Sequence, residues 1–258
     1  MKSLSEINFN NIKTVGIRVD FNIPVDENFK ITDNTRILRA RDTISFVKDQ
    51  NCKILLLSHF GRPKKTFNKN FSFQTLIEQF SEELNVKLNL LTYETFSKNR
   101  LSDFKNSNHQ ITLLENIRFF KGEIDNELTF SKLITDQLDL YINEAFSASH
   151  RSHSSVNGMP KNITSVPGFN FEKEVLAIKE IKNSSKKKLA IIGGSKVSTK
   201  INTLLSLTKS CANIFIGDAL ANNFLKFKGI SVGSSLLEEG SEKMIKQIYA
   251  SAQEKECE

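Results

Sequence analysis

Long apolar runs are missing from this chain of 258 residues. Its most hydrophobic strings, such as Ile54–Leu57, fall far short of the roughly 18 apolar residues that a membrane helix needs, which argues against a helical span. Cysteine is scarce as well. Cys52, Cys211 and Cys257 are widely spaced and match neither a disulfide framework nor a paired metal motif, so a reducing compartment is expected. The opening stretch from Met1 to Asn11 is too polar for a signal peptide, and the expected location is the cytoplasm. No internal repeat or low-complexity tract occurs, and a composition 39% hydrophobic and 25% charged carries no signature of disorder. Proline and glycine number only 4 and 11, and where they gather, from Met159-Pro160 to Val166-Pro167-Gly168, they mark a boundary.

Acidic side chains are outnumbered, 29 against 36 basic ones, for a net charge of +7. Such an excess fits nucleic acid, a membrane surface or acidic small molecules. Only Lys186-Lys187-Lys188 forms a run, and the other lysines are scattered, so a solvated surface is the better reading and neither a nucleic-acid nor a membrane partner is expected. The informative charges are arginines. Four stretches end an apolar run with arginine or histidine: Val15-Gly-Ile-Arg18-Val-Asp20-Phe-Asn22, Ile54-Leu-Leu-Leu-Ser58-His59-Phe-Gly61-Arg62-Pro63, Ile111-Thr-Leu-Leu-Glu115-Asn-Ile-Arg118, and Tyr141-Ile-Asn143 through His150-Arg151-Ser-His153. Each run is short and β-branched or leucine-rich, as a parallel strand buried on both faces should be.

The pattern between these runs is βαβ. Amphipathic segments at Asn34–Val47 and Ser72–Phe80 separate them, and Phe29–Ile31 reads as a short extra strand or hairpin. In an open parallel sheet, ligands bind beyond the carboxyl ends of the strands, so the polar residues after successive strands converge on one place. Arginine grips carboxylate and phosphate with a planar, permanently charged fork, so Arg18, Arg36, Arg62, Arg118 and Arg151 together predict a site for a small, multiply anionic ligand. Asp20 and Asn22 are candidates for a ligand hydroxyl, although either could instead cap a turn. His59 and His150 can donate to an anionic oxygen, His153 is ambiguous, and His109 reads as an exposed loop residue. Glu115 is expected to orient a neighbouring arginine. A metal held by the protein is not expected, because convergent ligands are not found beside so many arginines.

Beyond the boundary, Phe171–Lys182 carries Val175, Ile178 and Ile181 on one helical face and reads as a connecting helix. Strand, glycine turn and helix follow at Lys188–Ile192, Gly193-Gly194-Ser195-Lys196 and Ile201–Leu207. A further strand, Asn213–Ile216, ends in Gly217-Asp218, and Ile230–Val232 is expected to start a third. The glycine turn follows the logic of a phosphate loop, since glycines let backbone amides approach an anion at a helix start, but it lacks the full G-x-x-x-x-G-K-[ST] signature, and a purely structural turn is the alternative. Lys196 and Lys200, four apart, repel unless an anion lies between them.

Six motifs in order resemble the phosphoglycerate kinase family: Arg18-Val-Asp-Phe-Asn22, Ser58-His-Phe-Gly-Arg-Pro63, Leu114-Glu-Asn-Ile-Arg-Phe119, His150-Arg-Ser-His-Ser154, Gly168-Phe-Asn-Phe-Glu-Lys-Glu174 and Gly193-Gly-Ser-Lys-Val-Ser-Thr-Lys200. The resemblance implies an α/β protein. It comprises a three-layer αβα N-terminal domain on a parallel sheet (Rossmann-like, residues 1–167), an interdomain helix or hinge (168–185) and an incomplete second α/β domain (186–258). It further implies reversible phosphoryl transfer between 1,3-bisphosphoglycerate and ADP, giving 3-phosphoglycerate and ATP, with Mg-ATP or Mg-ADP as cofactor and hinge closure joining the domains. By similarity Asp20, Phe21 and Asn22 contact the glycerate, Arg36 lies nearest the transferred phosphoryl group, and His59, Phe60, Gly61, Arg62, Arg118, His150 and Arg151 complete the pocket. Lys196 would meet the moving phosphoryl group, and Lys200, Gly193, Gly194 and Gly217 the nucleotide. Arg36 and Lys196 are the catalytic candidates.

The chain departs from the family pattern in two places. Members of the family continue well past Glu258, so this chain reads as a fragment, expected to be nearly inactive alone and monomeric if complete. At Ile216-Gly217-Asp218-Ala219-Leu220 the family usually has a glycine triplet followed by methionine. A non-catalytic anion-binding or regulatory module that keeps the basic pocket is the alternative reading.

Overall fold

The computed structural model describes residues 2–258, which fall into two compact units that divide between Ala177 and Ile178. The division lies inside the helix Phe169–Asn183.

In the first unit six strands form one parallel sheet: β1 (Thr14–Arg18), β2 (Lys53–Leu57), β3 (Leu88–Leu91), β4 (Ile111–Leu114), β5 (Leu140–Asn143) and β6 (Ser165–Pro167), in the order β3-β4-β2-β1-β5-β6. Strand side chains alternate between faces, and here both faces are buried. In β2, Ile54 and Leu56 join one apolar cluster with Ile37, Ile44 and Phe80, while Leu55 and Leu57 join another with Phe96, Ile134 and Tyr141. The three-layer expectation is met. The helix Thr35–Asp49 buries Ile37, Ala40, Ile44 and Val47 along one stripe, and each larger side chain contributes about 1.5 to 3 kcal/mol by leaving water. It ends where Asn51 turns left-handed at φ +57°.

Register carries the functional consequence. Arg18 pairs with Leu57 on one side and Asn143 on the other, so β1, β2 and β5 end level, and β4 sits one strand further out. The loops that begin at Val19, Ser58, Glu115 and Glu144 therefore leave the same edge of the sheet.

Of the two readings of Phe29–Ile31, the hairpin holds and the strand does not: a single antiparallel bridge joins Val25 to Ile31 across a turn in which Phe29 has φ +60°. The proline-rich stretch before Gly168 holds β6, whose short pairing with β5 puts Pro167 on a sheet edge where its missing N–H costs no ladder bond. β3 gives little strand signal in the sequence, because Leu-Asn-Leu-Leu lacks both strict alternation and β-branched residues.

The second unit has β7 (Leu189–Ile192) paired in parallel with β8 (Asn213–Ile216), and the helices Ile201–Thr208, Asp218–Phe227 and Glu242–Glu254. Its core is Val197, Leu204, Leu220, Phe224, Ile245 and Ile248. Helices cover only one sheet face, so Leu189, Ile191 and Phe215 stay exposed. The expected third strand at Ile230–Val232 is absent: flanking Gly229 and Gly233 have φ +79° and +57°, and Ile230 is half exposed. Among the described residues no helix is long and apolar enough to cross a membrane.

Candidate active site

Arg118 is the centre of the first unit's polar edge. The side chain of Asn116 caps the turn Ile117–Phe119 by accepting from the Arg118 N–H at 3.1 Å, and its amide donates to the carbonyls of Phe60 (2.7 Å) and Phe71 (2.9 Å). This clamp locks two motifs together and leaves Arg118 only 5% exposed. Its NH1 donates to the Gly61 carbonyl at 2.7 Å, but Nε and NH2 have no partner among the described residues. Burial first, then the charges of Arg151 and Arg18, lowers the Arg118 pKa to about 10. A buried guanidinium with unmet donors is unfavourable unless an anion completes it.

The remaining residues gather around this group. Arg18, at the end of β1, is buried and approaches His59 Nδ1 with NH2 at 3.0 Å. Burial, followed by the charges of Arg18, Arg118, Arg151 and Arg36, pushes the His59 pKa far below its usual value, so the ring is neutral. Asn22 accepts from the Gly61 N–H at 2.8 Å, while Arg36 donates to Asp20 Oδ2 at 3.0 Å and to the Asn22 carbonyl at 2.9 Å. Asp20 also accepts from Ser147 Oγ at 2.5 Å, and the Ser147 carbonyl contacts His150 Nδ1 at 2.9 Å. Gly61 has φ +61°, and the ring of Phe71 stands 2.4 Å from where a Cβ would lie, so only glycine fits. Arg62, Arg36 and His150 are exposed, Arg151 and His153 half-buried.

One expectation, that for Glu115, is corrected here. Phe21 turns its ring inward: it is fully buried against Phe80, with centroids 5.0 Å apart, and its N–H is taken by Ser58 Oγ. Phe60, 6% exposed, likewise packs on Phe71 and Phe73. Glu115 orients no arginine. It accepts from Ser72 Oγ (2.6 Å) and from the N–H groups of Phe73 and Asn116 (2.8 Å each), holding the loop that presses Phe71 against Gly61. Asn116 went unread, although its place two residues before Arg118 is a capping signal.

Glu144, also unread, caps the start of the helix Phe169–Asn183 by accepting from the Asn170 N–H at 2.9 Å. Its Oε2 has no hydrogen-bond partner among the described residues and lies where any side chain on Gly168 would collide with it. Burial above all raises its pKa from 4.5 to about 7. A carboxyl protonated more readily in the folded state stabilises fully below its unfolded pKa and loses that contribution as pH rises through the folded one. Relative to Glu144→Gln, the parent chain is therefore expected to lose up to about 3 kcal/mol of stability between pH ~4.5 and ~7. The variant is the necessary reference because His153, whose pKa falls to about 4 through burial and then Arg118, has the opposite sign over much of that range. Denaturant midpoints of the first unit at several pH values test this, and parallel curves for the two proteins would refute it.

In the second unit, Gly194 has φ +148°, and Lys200 Cε lies 3.5 Å from where its Cβ would be. The Gly194 carbonyl accepts from Leu220 N at 2.7 Å, and Gly217 N donates to the Ile192 carbonyl at 2.8 Å. Gly193, Gly194, Lys196, Lys200 and Gly217 thus share one loop edge at the ends of β7 and β8. Asp218, itself at φ +53°, lays its carboxylate against Gly193. The side chain of Glu238 accepts from Ser198 N at 3.1 Å and from Ser198 Oγ.

The family described as phosphoglycerate kinase matches residues 4–258. Phosphoglycerate kinases of Wolbachia sp. subsp. Drosophila simulans (strain wRi) and Prochlorococcus marinus (strain MIT 9312) are 37% and 39% identical, over 95% and 98% of this chain and 61% and 64% of their own length. The structure of phosphoglycerate kinase from Coxiella burnetii superposes with a TM-score of 0.82 at 34% identity, covering 99% of this chain and 64% of that one. The Pyrococcus horikoshii OT3 enzyme, at 24% identity and a TM-score of 0.76, shares the fold. The chain thus spans about three fifths of the length of the relatives it matches. With its family match running almost from end to end and its arginines gathered at one sheet edge, the chain belongs to the phosphoglycerate kinase family.

Proposed function

We propose that the first unit binds 3-phosphoglycerate and 1,3-bisphosphoglycerate through Arg18, Arg36, His59, Arg62, Arg118, His150 and Arg151, with Asp20 and Asn22 at the glycerate. In the same reading Gly193, Gly194, Gly217, Lys196 and Lys200 of the second unit serve the phosphates of an adenine nucleotide. Gly194, approached only by the Lys200 side chain, and the two lysines suit a polyphosphate. Magnesium, arriving with the nucleotide, would neutralise phosphate charge. The reaction is reversible phosphoryl transfer between 1,3-bisphosphoglycerate and ADP, with Arg36 and Lys196 as the catalytic pair. Such transfer needs alignment and charge neutralisation rather than a nucleophilic side chain, which is what arginines and lysines supply. A cytoplasmic protein, monomeric if complete, goes with this reading.

The observation that carries the proposal is the buried Arg118 with two unmet donors amid further cations. Isothermal titration with 3-phosphoglycerate tests it. Binding is expected at low ionic strength and is expected to weaken as salt is added. No heat of binding at millimolar ligand would refute it.

A further inference from the structure

Behind the arginine cluster runs a hydrogen-bonded chain that ends on a buried carboxylate. Arg18 donates from Nε to Ser155 Oγ at 2.9 Å, from NH1 to the Val19 carbonyl, and from NH2 to His59 Nδ1 at 3.0 Å. The Ser155 hydroxyl donates in turn to Glu123 Oε1 at 2.6 Å, and the Ser155 N–H to Glu123 Oε2 at 2.8 Å. Tyr141 adds a third hold on the same residue, its hydroxyl donating to the Ser155 carbonyl at 2.5 Å. Glu123, Ser155 and Tyr141 are fully buried, and Arg18 is 1% exposed.

The direction of every bond in this chain is set by chemistry. A guanidinium has donors only, so the His59 Nδ1 that Arg18 meets must present its lone pair. The neutral ring then carries its single proton on Nε2, which has no partner among the described residues. Ser155, accepting from a cation at one side, must give its own proton to the carboxylate at the other. Burial raises the pKa of Glu123, against Arg18 and the two Ser155 bonds, which lower it. Both of its oxygens accept in this arrangement, as a carboxylate's do.

We infer that Glu123 is a positioning residue of the anion site: through Ser155 it holds Arg18, and Arg18 holds His59 as the Nε2–H tautomer, a neutral donor ready for a ligand oxygen. Glu123 makes no contact with the ligand in this scheme. The ligand's identity rests on the proposed function, whereas the tautomer belongs to the free protein.

The two can therefore fail separately. Nitrogen-15 spectra of histidine-labelled protein resolve only four histidines, with His59 assigned by its loss in His59→Gln. The unliganded parent is expected to show His59 as a single neutral Nε2–H ring. Glu123→Gln and Ser155→Ala, judged only in samples that keep the parent's backbone amide spectrum, are expected to show a mixture of tautomers and about tenfold weaker 3-phosphoglycerate binding, the loss of roughly one charge-assisted hydrogen bond. A parent ring protonated on Nδ1, or a tautomer and affinity unchanged in both variants, would overturn the inference. Tautomer mixing in the variants of a parent that does not bind 3-phosphoglycerate would uphold the relay and remove the ligand assignment.

Discussion

Replacing Arg118 with alanine is expected to weaken 3-phosphoglycerate binding by about a hundredfold or more. Hydrogen bonds to charged groups contribute roughly 1.5 to 3 kcal/mol each, and Arg118 has two donors free for a ligand in a site where water competes poorly. The loss should not be accompanied by unfolding. The substitution removes a buried cation and two unmet donors, and breaks only the bond to the Gly61 carbonyl, so the stability of the first unit, read from hydrogen exchange of the β4 amides, is expected to hold or rise. Arg118→Lys should rescue little, because a point charge cannot reproduce a planar fork. Arg62→Ala, on an exposed side chain, should weaken binding less than Arg118→Ala and with a stronger dependence on salt. Titration calorimetry on the three variants decides the matter, and parent-like affinity in Arg118→Ala would show that the anion sits elsewhere.

Glu115→Ala is the substitution expected to cost the first unit most, about 3 to 5 kcal/mol. The carboxylate is fully buried and accepts from Ser72 Oγ and from two backbone N–H groups. Each buried donor left unmet costs about 1 to 3 kcal/mol. Glu115→Gln retains one acceptor oxygen and should lose noticeably less. The effect should reach the ligand site as well, because the Ser72 loop carries Phe71, whose ring holds Gly61 and so the carbonyl that Arg118 grips. Hydrogen exchange of the β4 amides reads the stability of this unit alone, which a global melting curve of a two-unit chain does not. A change below about 1 kcal/mol would mean that the loop is held by other contacts.

Much of this arrangement was legible beforehand because parallel strands covered on both faces leave a plain trace. Val15–Ile17, Ile54–Leu57 and Ile111–Leu114 are β-branched or leucine-rich without polar alternation, and each is followed at once by polar residues. The elements that escaped were those whose identity depends on neighbours. β6 is three residues long and exists only because β5 offers an edge, and β3 is leucine-rich and pairs only with β4. Ile230–Val232 has strand-like residues but joins no sheet. The helix Phe169–Asn183 formed as its periodicity required, yet Leu176, Ile178 and Ile181 remain exposed.

The sequence by itself determined which residues could make an anion site: arginines and histidines placed one step past successive buried strands, in six motifs whose order identifies the family. Local rules suffice for that, since strand burial, turn chemistry and side-chain valence act over a few residues. Tertiary structure alone decided their roles. Phe21 stands in a site motif but packs inward, Glu115 holds a loop instead of an arginine, and Glu123, some hundred positions from Arg18 along the chain, reaches it through Ser155. Whether a buried polar group serves a ligand or the fold depends on which donors the packed chain leaves unmet, and that is known only once distant segments have come together.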